Sequence, residues 1–139
     1  MNIPESAKAV INSGRLAHLV TINADGSPQV TIVWVRCDGD DIVIGKLAED
    51  KKVANIRRDN RVSLSIEAEG NQYGMTNYLV VEGTAAVTEG GAAELLHELA
   101  QIYVGPGTKF PPMDNPPAGF VIRITPNKVR GMGPWGTTF

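Results

Sequence analysis

The sequence predicts a mainly β fold, a six-stranded antiparallel barrel with three short helices, from three observations. Segments that alternate apolar and polar residues, or are apolar throughout, recur at the length of single strands. Turn signals at residues 24–27 and 37–40 join neighbouring segments as hairpins. The helical segments do not alternate regularly with the strands, so parallel βαβ units are not expected. An antiparallel sheet of this length best avoids open edges by closing into a barrel.

The first part of the chain predicts one helix and three strands. Pro4 suits a first helical turn, and the apolar residues that follow predict a helix over residues 4–13 that Gly14 ends. Strands are predicted over residues 16–23, 29–36 and 42–45. The second of these is apolar on both faces, so we expect it to be central and covered on both sides. One small barrel can hardly cover both faces, which favours a homodimer.

The rest of the chain predicts two more helices and three more strands. Apolar residues at helical spacing predict helices over residues 48–58 and 92–104. Strands are predicted over residues 61–67, 78–87 and 120–125. Residues 105–119 hold five of the nine prolines and predict an irregular loop, and residues from about 127 to 139 predict a glycine-rich tail.

Length and composition set the class of protein. A chain of 139 residues fits one domain, residues 1–139 with the tail included, and 42% hydrophobic with 20% charged residues is ordinary for a soluble protein. A net charge of −2 gives no general attraction to nucleic acid, and no apolar run is long enough to span a membrane. Cys37 is the single cysteine, which favours a reducing cytoplasm, and the cysteine and two histidines suggest no metal site.

The densest charged segment, residues 51–61, holds five of the thirteen lysines and arginines. Lys51 and Lys52 fall in the first turn of the predicted helix, where a cation opposes the helix dipole. An anion bound at that end would reverse this effect, so one interpretation is a phosphate site. In the other, both lysines are solvated, and Glu49 and Asp50 offset their charge.

The order of elements and two segments, KLAEDKKVANIRRDNRVSLSIEAEG and YLVVEGTAAV, resemble the pyridoxamine 5'-phosphate oxidase-like split-barrel superfamily over roughly residues 13–130. KKVANIRRDNRVSL, VEGTAAV and the C-terminal RGMGPW most resemble the actinobacterial group that uses the deazaflavin coenzyme F420. The resemblance implies an FMN-binding type of split β-barrel, and a homodimer with two cofactor sites at the subunit interface.

The resemblance also implies a set of cofactor-binding residues. Lys51 and Lys52 match the basic pair that holds the cofactor phosphate, and Gly45 and Lys46 match polar contacts after the third strand. An aromatic residue from the partner subunit often closes the site, and Trp135 is its match. Arg58 would attract an acidic cofactor tail through solvent. The stretch along the ring system is matched by Thr31, Ile32, Val33 and Trp34.

This chain departs from its relatives at Asp50, where many deazaflavin proteins carry a basic residue, and this weakens the expected phosphate affinity. The expected function is an F420-dependent reductase that transfers a hydride between the deazaflavin and a small organic acceptor. An FMN-dependent oxidoreductase on the same fold and a non-catalytic cofactor carrier stay open as alternatives. Positive charges outside the lysine pair favour F420, whose acidic tail they could attract: Lys46, Arg57, Arg58, Lys109 and Arg130. No side chain is identified as catalytic.

Overall fold

The computed structural model describes residues 1–139, which form three helices and eight strands in a single sheet. The helices are α1 (Glu5–Ile11), α2 (Lys51–Arg58) and α3 (Ala92–Tyr103). The strands are β1 (Ala17–Ile22), β2 (Pro28–Val33), β3 (Arg36–Asp38), β4 (Asp41–Lys46), β5 (Arg61–Gln72), β6 (Met75–Glu89), β7 (Phe120–Gly133) and β8 (Gly136–Thr138). The longest helix has 12 residues, and none of the three is long and apolar enough to cross a membrane.

All neighbouring strands pair antiparallel, in the order β2-β1-β5-β6-β7-β4-β3, and β8 adds to β7. β2 and β3 lie at opposite ends of this path, yet only Trp34 and Val35 separate them along the chain. The three Cα–Cα steps from Val33 to Arg36 span only about 10 Å, so the two edges of the sheet must lie close together. The sheet is therefore curled into a split barrel, which confirms the predicted mainly β, antiparallel fold class.

The interior of the barrel is a cluster of 19 buried apolar residues. On β5, Leu64 and Ile66 are fully buried and alternate with partly exposed serines, as the period of a strand requires. α2 covers the cluster with Val53 and Ile56, which are three residues apart and lie on one helix face. Burial of one such side chain contributes roughly 1.5–3 kcal/mol to stability.

Two segments raise the number of strands from the predicted six to eight, and a third differs from the prediction only in length. The predicted strand over residues 29–36 is interrupted at Trp34 and Val35, so it contributes to two strands, β2 and β3. β5 and β6 extend towards each other and end in a hairpin at Tyr73 and Gly74, both with positive φ. The predicted tail is instead the second half of β7 together with β8.

The prediction that the second strand is central was wrong. β2 is an edge strand in this chain, paired only with β1. Its outward residues are apolar and exposed, Val30 by 59% and Ile32 by 58%. Two apolar faces show that both sides need a cover, but the sequence does not show which molecule supplies it.

Candidate functional site

A cleft of about 470 Å³ opens where the end of β2, the segment from β4 to α2, and α3 meet. Most of its walls are apolar, and its polar groups are concentrated near the start of α2. Clefts of this size and character are typical of small-molecule sites. The lining residues are Ile32, Val33, Trp34, Ile44, Gly45, Lys46, Leu47, Ala48, Asp50, Leu96 and Phe110.

The cleft brings together five of the predicted cofactor-binding residues. Ile32, Val33 and Trp34 come from the end of β2 and the link that follows it, while Gly45 and Lys46 come from the end of β4. The β2 and β4 segments are neighbours because the two edges of the sheet adjoin.

The aromatic wall of the cleft is held in place by stacking. The indole of Trp34 lies 5.3 Å from the ring of Tyr103 with planes inclined by only 12°, and 5.3 Å from the tilted ring of Phe110. The Tyr103 hydroxyl accepts a hydrogen bond from Val35 N–H at 3.0 Å and donates one to the Arg15 carbonyl at 2.8 Å. Trp34 is therefore a rigid wall of the cleft.

Gly45 lets α3 approach β4 closely enough to form the cleft. A Cβ atom at this position would lie 2.9 Å from Cγ of Leu96 and 3.3 Å from the carbonyl oxygen of Ala92. A side chain here would push α3 outward, so the absence of one brings Leu96 into the cleft wall.

The polar end of the cleft is organised by Asp50. One carboxylate oxygen caps α2 by accepting from Val53 N–H at 3.2 Å. The other accepts from Nζ of Lys52 at 2.6 Å and Nζ of Lys46 at 3.1 Å. Burial alone would raise the pKa of Asp50, but the hydrogen bonds from Lys52 and Lys46 hold it below its ordinary value. An anionic ligand group in the cleft would thus meet Lys46 and the Asp50 carboxylate, with the buried ammonium group of Lys52 paired to that carboxylate.

Lys51 and Lys52, which are predicted to act as a pair, point in different directions from α2. The Lys52 side chain is only 8% exposed and reaches Asp50, whereas Lys51 is exposed. Neither lysine lines the cleft. Consecutive helical residues point in directions about 100° apart, which explains the difference.

Arg58 lies at the other end of α2 and makes structural contacts. It donates to the carbonyl of Ile22 at 2.6 Å and to the side-chain oxygen of Asn55 at 3.0 Å. Asn55 in turn donates to Thr21 Oγ1 and Asn23 Oδ1, both at 3.0 Å. This network fastens α2 to the hairpin of β1 and β2.

The other basic residues expected to attract an acidic tail are also engaged within the chain. Arg57 pairs with Glu49, and the remaining two pairs are Lys109 with Asp114 at 3.2 Å and Arg130 with Glu82 at 2.7 Å. These residues lie on separate elements, and each is paired with a carboxylate of its own chain.

Thr31 and Trp135 do not line the cleft within one chain, but each holds a buried polar atom with no hydrogen-bond partner: Thr31 Oγ1 and Trp135 Nε1. Trp135 packs over Gly133 and against the core of its own barrel. Thr31 adjoins Ile32, a lining residue. Apolar walls with the ammonium group of Lys46 at one end fit a flat apolar ring that bears an anionic group.

Sequence reasoning missed the lining residues that come from distant segments. Leu96 lies on α3 and Phe110 in the proline-rich loop, and no local signal shows that they face β2 and β4. Asp50 carried a readable signal, since an aspartate just before a helix is a preferred N-cap.

The model of the pyridoxamine 5'-phosphate oxidase family matches residues 3–133. A solved structure described as an F420 reductase is similar, with 25% identity and a TM-score of 0.72, over 91% of this chain and 98% of that one. A conserved hypothetical protein from Mycobacterium tuberculosis has 28% identity and a TM-score of 0.72, over 94% and 84%. An FMN-binding protein from Syntrophomonas wolfei shares the fold at 15% identity and a TM-score of 0.69, over 93% and 85%. The chain belongs to the pyridoxamine 5'-phosphate oxidase family.

Proposed function

We propose that this chain is an F420-dependent reductase that binds the deazaflavin in the cleft and transfers a hydride between it and a small organic acceptor. The observation that carries the proposal is the cleft itself, which is apolar along Trp34 and Leu96 and ends at Lys46 and Asp50, with the buried ammonium group of Lys52 behind that carboxylate. Similarity to an F420 reductase over nearly the whole chain supports the same cofactor.

Each part of the site has a distinct task in this proposal. Ile32, Trp34 and Leu96 would surround the ring system and exclude water, which fixes its position relative to a substrate. Lys52 and Lys46 would bind the phosphate through charge-assisted hydrogen bonds. The unpaired hydroxyl of Thr31 would donate a further hydrogen bond. When bound, the deazaflavin supplies the hydride chemistry.

The proposal includes a homodimer, with a second copy of the chain covering β2. The outward side chains of Val30 and Ile32 form an exposed apolar surface on β2, and apolar surface of this kind favours association. Ile32 also lines the cleft, so the partner would border the cofactor site. The partner's Trp135 is our candidate for the aromatic residue that closes it.

Two measurements test the proposal. Titration of the purified protein with F420 and with FMN should give tighter binding of F420, and a panel of unsaturated acceptors should be reduced at the expense of reduced F420. Tighter binding of FMN would favour an FMN-dependent oxidoreductase on the same fold. Tight binding of F420 without turnover of any acceptor would favour a cofactor carrier.

A further inference from the structure

Three charged groups at the polar end of the cleft carry a combined charge of +1. Oδ2 of Asp50 is shared by the ammonium groups of Lys46 and Lys52. The side chains of Lys52 and Asp50 are 8% and 31% exposed, so solvent screens them only in part. Asp50 also caps α2, so its carboxylate cannot leave without losing the hydrogen bond from Val53.

The other charged groups nearby do not change this balance. Lys46 and Asp50 are the only charged residues that line the cleft. On the approach to α2, Glu49 is paired with Arg57, and Lys51 is exposed to solvent. A ligand phosphate beside Lys46 would therefore have Asp50 as its nearest negative charge.

The two candidate cofactors differ in the charge of this phosphate. The FMN phosphate is a monoester with a second pKa near 6, so it carries close to two negative charges at about pH 8. The F420 phosphate continues into the tail, which makes it a diester with one ionisable oxygen and one negative charge. Repulsion by a fixed carboxylate is proportional to the ligand charge, so it acts twice as strongly on the monoester.

We propose that Asp50 is a specificity-determining residue: it weakens the binding of a doubly charged phosphomonoester more than that of a singly charged phosphodiester. The inference rests on the proposed function, because it assumes that the cofactor phosphate lies beside Lys46 and Lys52. Asp50, where many deazaflavin proteins carry a basic residue, would thus favour a cofactor whose phosphate is esterified on both sides.

The test compares wild type with Asp50→Asn, a substitution that removes the charge but keeps an N-cap residue. Dissociation constants are measured near pH 8 for FMN, F420, riboflavin and the deazaflavin ribityl compound without phosphate. One charge at about 4 Å in a water-like dielectric predicts about fivefold tighter binding of F420 and about twenty-five-fold tighter binding of FMN. The two phosphate-free compounds should bind both proteins equally.

A second arm uses the titration of the FMN phosphate itself. As the pH falls through about 6, FMN loses its second charge, so the gain from Asp50→Asn should shrink to about fivefold near pH 5. The gain for F420 should stay constant over this range. Glu49→Gln is the matched control, because it removes a neighbouring carboxylate that is paired with Arg57 away from the cleft, and it should change none of the four affinities.

Several outcomes would overturn the inference. Equal gains for FMN and F420, or equal gains for the phosphate-free compounds, would show that Asp50 does not discriminate by phosphate charge. Weaker binding of both cofactors would show that Asp50 mainly positions the lysines. If none of the four compounds binds wild type or variant, the proposed function itself fails, and the inference fails with it.

Discussion

The hydroxyl group of Tyr103 accepts a hydrogen bond from the backbone N–H of Val35 at 3.0 Å, at the point where the two edges of the sheet meet. The same hydroxyl donates to the carbonyl of Arg15, so one atom connects α3 to the link before β3 and to the segment before β1. Tyr103→Phe keeps the stacked ring but leaves Val35 N–H without its partner. We expect the free energy of unfolding to fall by about 1–3 kcal/mol.

Urea denaturation measures this loss, and Tyr73→Phe is the matched control. Tyr73 is fully exposed in the turn between β5 and β6, so the same chemical change there should alter stability by less than about 0.5 kcal/mol. Equal stability of Tyr103→Phe and wild type would mean that water replaces the hydroxyl at no cost.

Asn55 is the central residue of the network between α2 and the first hairpin, and it is 2% exposed. Asn55→Ala removes the donor to Thr21 and Asn23 and the acceptor for Arg58. Because Thr21 is itself buried, we expect a loss of about 1–3 kcal/mol in the free energy of unfolding. Asn60→Ala, at an exposed position just after α2, is the control. Thermal unfolding of wild type and both variants measures the two losses. Equal losses in the two variants would contradict a stabilising role of the network.

Lys52 and Arg58 should differ in their effect on cofactor affinity. Lys52→Met keeps most of the buried side chain but removes an ammonium group beside the cleft, so F420 should bind about tenfold to a hundredfold more weakly. Arg58→Met removes contacts with Ile22 and Asn55 instead, and should change affinity by less than about threefold. Fluorescence titration measures both, and equal losses would place the phosphate elsewhere.

The exposed apolar face of β2 should form the dimer interface. Ile32→Glu puts a charge into the proposed interface, where it would be desolvated without a partner, so the mass in sedimentation should fall to that of one chain. Met113→Glu is a control at another exposed apolar position, and it should leave the mass unchanged. A wild-type protein that sediments as a monomer at every concentration would contradict the dimer itself.

Asp59 should contribute to the loss of stability in acid. Hydrogen bonds from the guanidinium and the N–H of Arg61 lower the pKa of Asp59 from its ordinary 3.8 to about 2. Because the pKa is lower in the folded state, the contribution is present above about pH 4 and disappears as the pH falls towards 2. The difference in stability between wild type and Asp59→Asn should therefore shrink over that range in denaturation experiments. A difference that stays constant down to about pH 2 would contradict this assignment.

The predictable parts of this protein are those encoded by local patterns. The three helices lie within the segments that spacing and caps predict, and Asp50 and Gly91 mark the starts of the second and third. The interruption of a strand at Trp34 carries no local signal, because its cause is the closure of the sheet, which involves residues far apart in sequence. The apolar pattern of β2 could show that both faces need burial, but not that a single chain leaves one open.

The candidate site divides in the same way. The family resemblance gives Trp34, Gly45 and Lys46 as expected cofactor-binding residues, and the fold brings all three into one cleft. The pairing of Lys52 with Asp50, the outward direction of Lys51 and the inward direction of Phe110 depend on helix phase and on loop packing. These are properties of the assembled fold, which no single stretch of sequence contains.

The short link through Trp34 and Val35 couples ligand occupancy of the cleft to closure of the barrel. Trp34 forms a wall of the cleft and also belongs to the two-residue link between the edge strands β2 and β3. A ligand bound against the Trp34 indole therefore opposes separation of those edges. At a ligand concentration of 100 times the dissociation constant, binding adds about 2.7 kcal/mol to the free energy of any opening that releases the ligand. Amide hydrogens of β3 should then exchange with solvent more slowly in the ligand-bound protein. Hydrogen exchange in β3 therefore reports occupancy of the cleft, even for ligands that have no absorption signal and undergo no reaction.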